Sequence, residues 1–498
     1  MTTTSQALFY PKPQLLINGS WRDGAHGVCG VVRNPATGEV LSEVPQASGE
    51  DLDEALDGSL RAFAIWRKTA ALDRAAVLRR AASLLRERLP ELARHMTLEQ
   101  GKTLAESRLE FELSAEALEW YAAEALRANG RIIPARARGA RQMVIPQPVG
   151  PVAAFTPWNF PAVLPARKIG AALAAGCAVI IKPSEETPAS TIGLAKALMD
   201  AGLPEGTLNL VLGIPAEVSR HLIQSPIIRK VTFTGSTPVG REIAQLAAAY
   251  AKPCTLELGG HAPVLVFDDA DLDHAIRTCA IGKTRNAGQV CTSPTRFYVQ
   301  DRIYQEFSSG FAEAMNAMKV GPGMAPESQM GALANVRRMT AIESLVDDAH
   351  AAGGKIIAGG ERLADVGYLW RPTVISDVPS SARAMQVEPF GPLALVNRFN
   401  TLEEGLTLAN NHPFGLAAYA FTQSSRTAAA IADELEAGGI GINTFAVAQI
   451  EAPFGGVKDS GYGTEGGHEG LEAYMHPKYV HHACLLYTSP SPRDQRGS

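Results

Sequence analysis

The chain has 498 residues, a formal net charge of −5, 46% hydrophobic residues and 19% charged residues. That is ordinary for a globular protein of two or three domains, and it gives no electrostatic reason to expect nucleic acid or an anionic membrane as partner. The longest apolar runs, such as 169–181, are too short to span a bilayer. No charged-then-apolar leader opens the sequence, and the six cysteines (Cys29, Cys177, Cys254, Cys279, Cys291, Cys484) contain no C-x-x-C pair. Both features lead us to expect a reducing cytoplasm, with neither a zinc site nor a disulfide framework.

Residues 1–13 are polar with two prolines and read as a loose tail. Residues 14–21 read as a short strand ending in the Asn18-Gly19 turn, and 33–38 as a second turn. Helix dominates from Ser48, a candidate cap, to about 127, because 72–88 and 109–126 keep apolar residues three and four apart. The pattern then changes. Short apolar strands at 152–155, 178–181, 208–211 and 230–234 alternate with helices at 162–174, 188–201, 215–223 and 238–251. This alternation predicts parallel βαβ units. A second such unit follows Gly260, with strands at 264–267, 295–299, 355–357 and 393–399 and helices at 271–281, 304–318, 336–352 and 426–435. A domain boundary is therefore expected at Gly259-Gly260. Residues 321–330 read as loop, and 487–498, a Ser/Pro-containing run without apolar period, as a flexible tail outside the fold.

Three groups carry candidate chemistry. Cys291 follows Asn286-Ala287-Gly288-Gln289-Val290, where a glycine lets the backbone turn and present a thiol. Glu257 sits between Leu256 and Leu258 and before two glycines, an apolar setting that raises a carboxylate's pKa and improves it as a base. Asn159, in Pro157-Trp158-Asn159-Phe160-Pro161, is an amide on a stiff aromatic loop, suited to donate to an alkoxide. Each has a plain alternative: a core cysteine, a surface glutamate, an Asx turn. Two further stretches suit a nucleotide. Lys230 to Ser236 is a strand running into Gly235-Ser236 and a helix, though without the G-x-G-x-x-G spacing. Lys182 and Glu185 stand at the carboxyl end of a buried strand, where open α/β sheets bind ligands. A cysteine hydrolase or acyltransferase would use the first three groups but has no need of the last two stretches.

Taken in order, 157–161, 182–185, 233–236, 256–260, 288–291, Glu388-Pro389-Phe390-Gly391-Pro392 and Pro453-Phe454-Gly455-Gly456 resemble the aldehyde dehydrogenase superfamily, over about 16–480. The resemblance implies an α/β fold: a Rossmann-type cofactor domain (14–128 and 148–258), an α/β catalytic domain (259–475) and a small β oligomerisation arm (129–147 and 476–486). It implies Cys291 as nucleophile, Glu257 as base for thioester hydrolysis, and the Asn159 side chain with the Cys291 N–H as oxyanion hole. It also implies NAD as cofactor, with NADP as the alternative. Lys182 and Glu185 would hold the adenosine ribose, Gly235 and Ser236 the pyrophosphate, and Glu388 and Phe390 the nicotinamide end, with Thr156, Trp158, Ser184 and Leu258 lining the site. The acidic Glu185 leans towards NAD, since it would repel a 2′-phosphate.

Arg167 and Arg285 are suited to grip a carboxylate. Together with 286–297, 260–263 and 458–462 they are most similar to succinate-semialdehyde and 2-oxoglutarate-semialdehyde dehydrogenases. The expected substrate is thus a short aldehyde with a distal carboxylate, and the expected assembly a homodimer or homotetramer; a broad-specificity aldehyde dehydrogenase is the other reading. Two departures stand out. Ser293 occupies the place of a second, redox-active cysteine found in some relatives, and no serine stands in 447–449, where Gln449 is the substitute donor.

Overall fold

In the computed structural model, which describes residues 10–136 and 139–483, the first sheet grows in both directions from the strand Val152–Phe155. The chain steps outward through Val179–Lys182 and Leu208–Leu210, then returns to lay Lys230–Thr234 on the other side of Val152–Phe155, followed by Cys254–Glu257, all parallel. The reversal leaves a crevice beyond the carboxyl ends of Val152–Phe155 and Lys230–Thr234, where ligands bind in open α/β sheets. These strands are buried along their whole length and mostly apolar because helices cover both faces; every residue of Val152–Phe155, Val179–Lys182 and Lys230–Thr234 is buried. The antiparallel hairpin Leu15–Ile17 and Ser20–Arg22 closes one edge, where the sequence pattern suggested a single strand. Its turn is Asn18-Gly19, both in the left-handed region. Gly461–Tyr462 closes the other edge against Cys254–Glu257.

Among the described residues, four α-helices lie between that hairpin and the parallel strands. Gly49–Trp66 begins at Ser48 with a capping box to Asp51, and Leu104–Glu124 begins at Thr103 with a capping box to Glu106. The second cap starts that helix before the 109–126 pattern indicates. The apolar period is blurred there because the helix is buried on several sides by Ala71–Glu87, Leu89–Gln100 and Val163–Ala175.

Between Glu257 and Ala262 the chain passes from the first sheet to a second. That sheet has the order Lys355–Ala358, Thr373–Ser376, Leu393–Phe399, Pro294–Gln300, Ala262–Val266, Ala417–Phe421, Gly439–Ile442, parallel except at the Lys355–Ala358 edge. A third, antiparallel sheet joins Arg131–Ile133, Ala140–Pro148 and Met475–Ala483 and leaves Ile132, Ile145 and Tyr479 exposed. Residues 321–330 are a loop, as expected. The tails 1–9 and 484–498, with Cys484, residues 137–138 and the Cys29 side chain, lie outside the described residues. No helix among the described residues is long and apolar enough to cross a membrane.

Candidate active site

The turn that delivers Cys291 is held under strain. Helix Leu272–Thr284 ends, and Asn286, Ala287 and Gly288 follow with φ of +48°, +51° and +70°. Two non-glycine residues in succession in this region are costly and persist only when their surroundings over-determine them. They do here. The Asn286 N–H donates to Glu106 Oε1 (2.6 Å), the Asn286 amide donates to the Asn159 carbonyl (2.9 Å), and Gln289 Nε2 donates back to the Asn286 carbonyl (3.1 Å). Gln289 Oε1 in turn accepts the Ala334 N–H (2.9 Å). Glycine is required at two contacts. A Cβ on Gly288 would lie 2.1 Å from the Gly391 carbonyl oxygen, and one on Gly260 would lie 2.3 Å from that of Cys291. The motifs 256–260, 288–291 and 388–392 therefore meet backbone to backbone.

Asn159, Leu258, Phe390, Glu388, Trp158, Arg338 and Cys291 line one cavity of about 270 Å³. Cys291 is partly exposed in it. Burial pushes its thiol up to about 12, the anions Glu388 and Glu257 push the same way, and the Thr292 backbone and the Arg167 cation oppose them. Asn159 is buried, and its amide nitrogen donates to the Gln289 carbonyl at 3.1 Å. An amide nitrogen carries two hydrogens, so one is left for a ligand. Trp158 and Phe390 meet edge to face, 5.5 Å between centroids.

Glu257 is buried with neither carboxylate oxygen hydrogen-bonded among the described residues. Burial raises its pKa well above the usual carboxylate value, and Glu465 raises it further, against the cations Lys168 and Arg167. Its surroundings are thus less apolar than its neighbours Leu256 and Leu258 suggest. Lys168 is buried, pairs with Glu465 and donates to Thr232 Oγ1 at 3.1 Å. Glu388 accepts the Gly260 N–H (3.0 Å), and burial pushes its carboxyl up to about 7 against Arg338 and Lys283. Lys283 is itself pushed down to about 7 by burial and donates to Ser293 Oγ at 2.9 Å.

A groove of about 700 Å³ leads on from this cavity through Thr156, Pro157, Trp158 and Thr234, Gly235, Ser236. It runs past Lys182, Ser184 and Glu185, where Lys182 Nζ sits 2.6 Å from Glu185. The hydroxyls of Thr156 and Thr234 are buried there without a partner among the described residues, and Ser236 does not cap helix Thr237–Ala249 with its own side chain. Orphan hydroxyls beside an open helix N-terminus fit a phosphorylated nucleotide.

The substrate candidates divide. Arg167 is buried, donates to the Ala448 carbonyl and lies 5.5 Å from the Phe454 ring, close enough to act on Cys291 and Glu257. Arg285 is exposed at a separate cavity of about 690 Å³, with its guanidinium 5.4 Å from the Phe160 ring. Gln449 is exposed on the loop whose Ala448 carbonyl Arg167 holds.

Residues 21–480 match the family model described as the aldehyde dehydrogenase family. The chain belongs to the aldehyde dehydrogenase family. It is accordingly an oxidoreductase that acts on aldehydes with NAD(P). A putative 4-(hydroxymethyl)benzenesulfonate dehydrogenase of Comamonas testosteroni is 49% identical over 96% of this chain and 99% of its own. The NADP(+) succinate-semialdehyde dehydrogenase of Escherichia coli is 41% identical over 94% and 97%. A crystal structure of a Staphylococcus aureus betaine aldehyde dehydrogenase in complex with NAD+ superposes with a TM-score of 0.92 at 34% identity, covering 95% and 96%. Within this aldehyde dehydrogenase, Lys102, Lys168, Lys283, Arg338 and Glu465 went unmarked in the sequence. Single charged residues in helices and loops have no local pattern; Lys102, Lys168, Lys283 and Glu465 are set apart by their burial and Arg338 by its place in the cavity wall.

Proposed function

We propose that this aldehyde dehydrogenase oxidises an aldehyde carrying an anionic group at its far end, with Cys291 as nucleophile, Asn159 as oxyanion donor and Glu257 as base. The sulfur attacks the carbonyl carbon and forms a C–S bond. The carbonyl electron pair moves to oxygen, where the free Asn159 amide hydrogen and the Cys291 N–H stabilise it. A nicotinamide nucleotide held in the groove supplies the hydride acceptor. Lys182 and Glu185 are assigned to the adenosine ribose, Gly235 and Ser236 to the pyrophosphate, and Glu388 and Phe390 to the nicotinamide end. The resulting thioester is hydrolysed by water that Glu257 deprotonates; the C–S bond breaks and the carboxylic acid leaves. A thiol held near 12 is largely protonated at neutral pH, so a nearby base with a raised pKa also suits removal of the thiol proton.

The observation that carries the substrate class is Arg167, a buried guanidinium whose field reaches the thiol. Carboxylate and sulfonate both accept from a guanidinium fork. A short semialdehyde, succinate or 2-oxoglutarate semialdehyde, carries such a carboxylate. A sulfonated aromatic aldehyde is the second reading. It is favoured by the Comamonas relative and by the size of the neighbouring cavity, whose walls include Leu109, Leu113, Ile281 and Phe445 with Arg285 among them. Glu185 favours NAD over NADP, and the three-stranded arm with its exposed Ile132, Ile145 and Tyr479 suits pairing between copies in a homodimer or homotetramer.

The test is a paired panel: succinate semialdehyde, 2-oxoglutarate semialdehyde and 4-sulfobenzaldehyde against neutral aldehydes of matched size, each with NAD and NADP. An anionic member should lead in kcat/KM, and Arg167→Ala should raise KM for it by about 10- to 100-fold while sparing the neutral partner. Equal efficiency across each pair contradicts the anion clamp and leaves a broad-specificity enzyme.

A further inference from the structure

Behind the cavity, one helix start reaches both the nucleophile turn and the amide loop. Glu106, in the first turn of Leu104–Glu124, accepts the Asn286 N–H with Oε1 (2.6 Å) and caps Thr103 with Oε2, at 2.9 Å from its N and 2.8 Å from its hydroxyl. Glu110, on the same face one turn later, accepts the N–H groups of Ala162 (2.8 Å) and Val163 (3.2 Å) with Oε1. Its Oε2 meets Lys102 Nζ at 2.6 Å. Lys102 Nζ donates in turn to the Asn159 carbonyl at 2.8 Å and lies 4.3 Å from the Phe160 ring centroid. That same carbonyl receives the Asn286 amide. The contacts form a closed circuit: Glu110, Lys102, Asn159, Asn286, Glu106 and back through the helix.

We propose that Lys102, Glu106 and Glu110 are positioning residues that fix the spacing between the Asn159 amide and the Cys291 turn. This rests on the roles given above to Cys291 and Asn159. The side chains of Lys102 and Glu110 are 1% and 2% exposed. A buried ion pair gives no net stability that well-packed apolar residues would not give, so its presence asks for another reason. Here that reason is geometric. The capacity of Lys102 and the two glutamates is directed largely at backbone groups of the two segments that carry the chemistry, and the left-handed Asn286 and Ala287 need such outside support. A shift of about 1 Å in a reacting group costs on the order of 100-fold in rate.

The test is a double-mutant cycle of Lys102→Met and Asn159→Ala. It is read both as kcat for aldehyde oxidation and as hydrolysis of 4-nitrophenyl acetate without nicotinamide nucleotide, a reaction that uses the thiol, the oxyanion donors and the deacylating base but no hydride step. Lys102→Met should lower both rates by about 10- to 100-fold with KM for the nucleotide within about twofold, and should cost less than about threefold more once Asn159 is alanine. Additive losses, or a loss in KM alone, overturn the positioning role. An unchanged Asn159→Ala rate would instead overturn the amide's own role, and this inference with it. If Lys102→Met shows no cooperative melt, Glu106→Ala and Glu106→Gln decide. The glutamine keeps an oxygen for the Asn286 N–H and should recover most of the rate lost in the alanine variant; equal losses in the two overturn the proposal.

Discussion

Glu388 shows what the site costs at the scale of one residue. Burial holds its carboxyl near 7, whereas an unfolded glutamate loses its proton near the usual 4.5. Between those values the native state binds more protons than the unfolded one. Stability is therefore fully present at low pH and falls as pH rises through about 7. Glu388→Gln keeps an oxygen for the Gly260 N–H and removes the titration. The variant should melt above the parent at pH 8, by on the order of 2 kcal/mol after allowing for the open cavity wall, and close to it at pH 5. Thermal melts at the two pH values check this; a parent that is the more stable at pH 8 contradicts it. Residues of this kind were unevenly legible in the sequence. Cys291, Asn159, Glu257 and Glu388 stand in short motifs whose glycines and prolines mark them. Lys168 and Glu465 lie far apart in the chain, and only the fold brings them together beneath Glu257.

At the scale of elements, the turn that carries Cys291 is the most demanding piece. Gly288 combines a left-handed backbone with a carbonyl of the 388–392 loop where a Cβ would stand. Gly288→Ala should cost at least about 2 kcal/mol, lower Tm by about 2 °C and reduce kcat by more than about tenfold, because relief of the clash must move either Cys291 or the Glu388 loop. Calorimetry with steady-state kinetics checks this, and an unaltered variant would show the turn to be slack. The pattern found Lys230–Thr234 and Leu393–Phe399 to the residue, the first from its β-branched and aromatic residues and the second from a four-residue apolar run, Leu393 to Val396. It missed Thr373–Ser376, Ala417–Phe421 and Gly439–Ile442, along with the helix Leu402–Asn410. Ala417–Phe421 is mostly alanine and Gly439–Ile442 alternates glycine with isoleucine, so the strand preference of Tyr419, Phe421, Ile440 and Ile442 is diluted; both pair with neighbouring parallel strands, which supply their hydrogen bonds.

For the whole molecule, the site exists only where the two larger sheets meet. Glu257 ends a strand of the first, Cys291 precedes a strand of the second, and Asn159 lies on the loop between the first sheet and helix Val163–Ala175. The alternation of strands and helices made the α/β plan legible, and the chain crosses from one sheet to the other between Glu257 and Ala262. What the sequence could not show was which strand ends would lie together, because that depends on the strand order. The central claim is that Cys291 carries the acyl group until Glu257 activates water. The most direct measurement is peptide mass spectrometry of Glu257→Gln, quenched after mixing with aldehyde and NAD. A covalent acyl mass should accumulate on the peptide containing Cys291 as turnover falls by about 100-fold or more. Undiminished turnover, or an adduct on another cysteine with Cys291 unmodified, would contradict it.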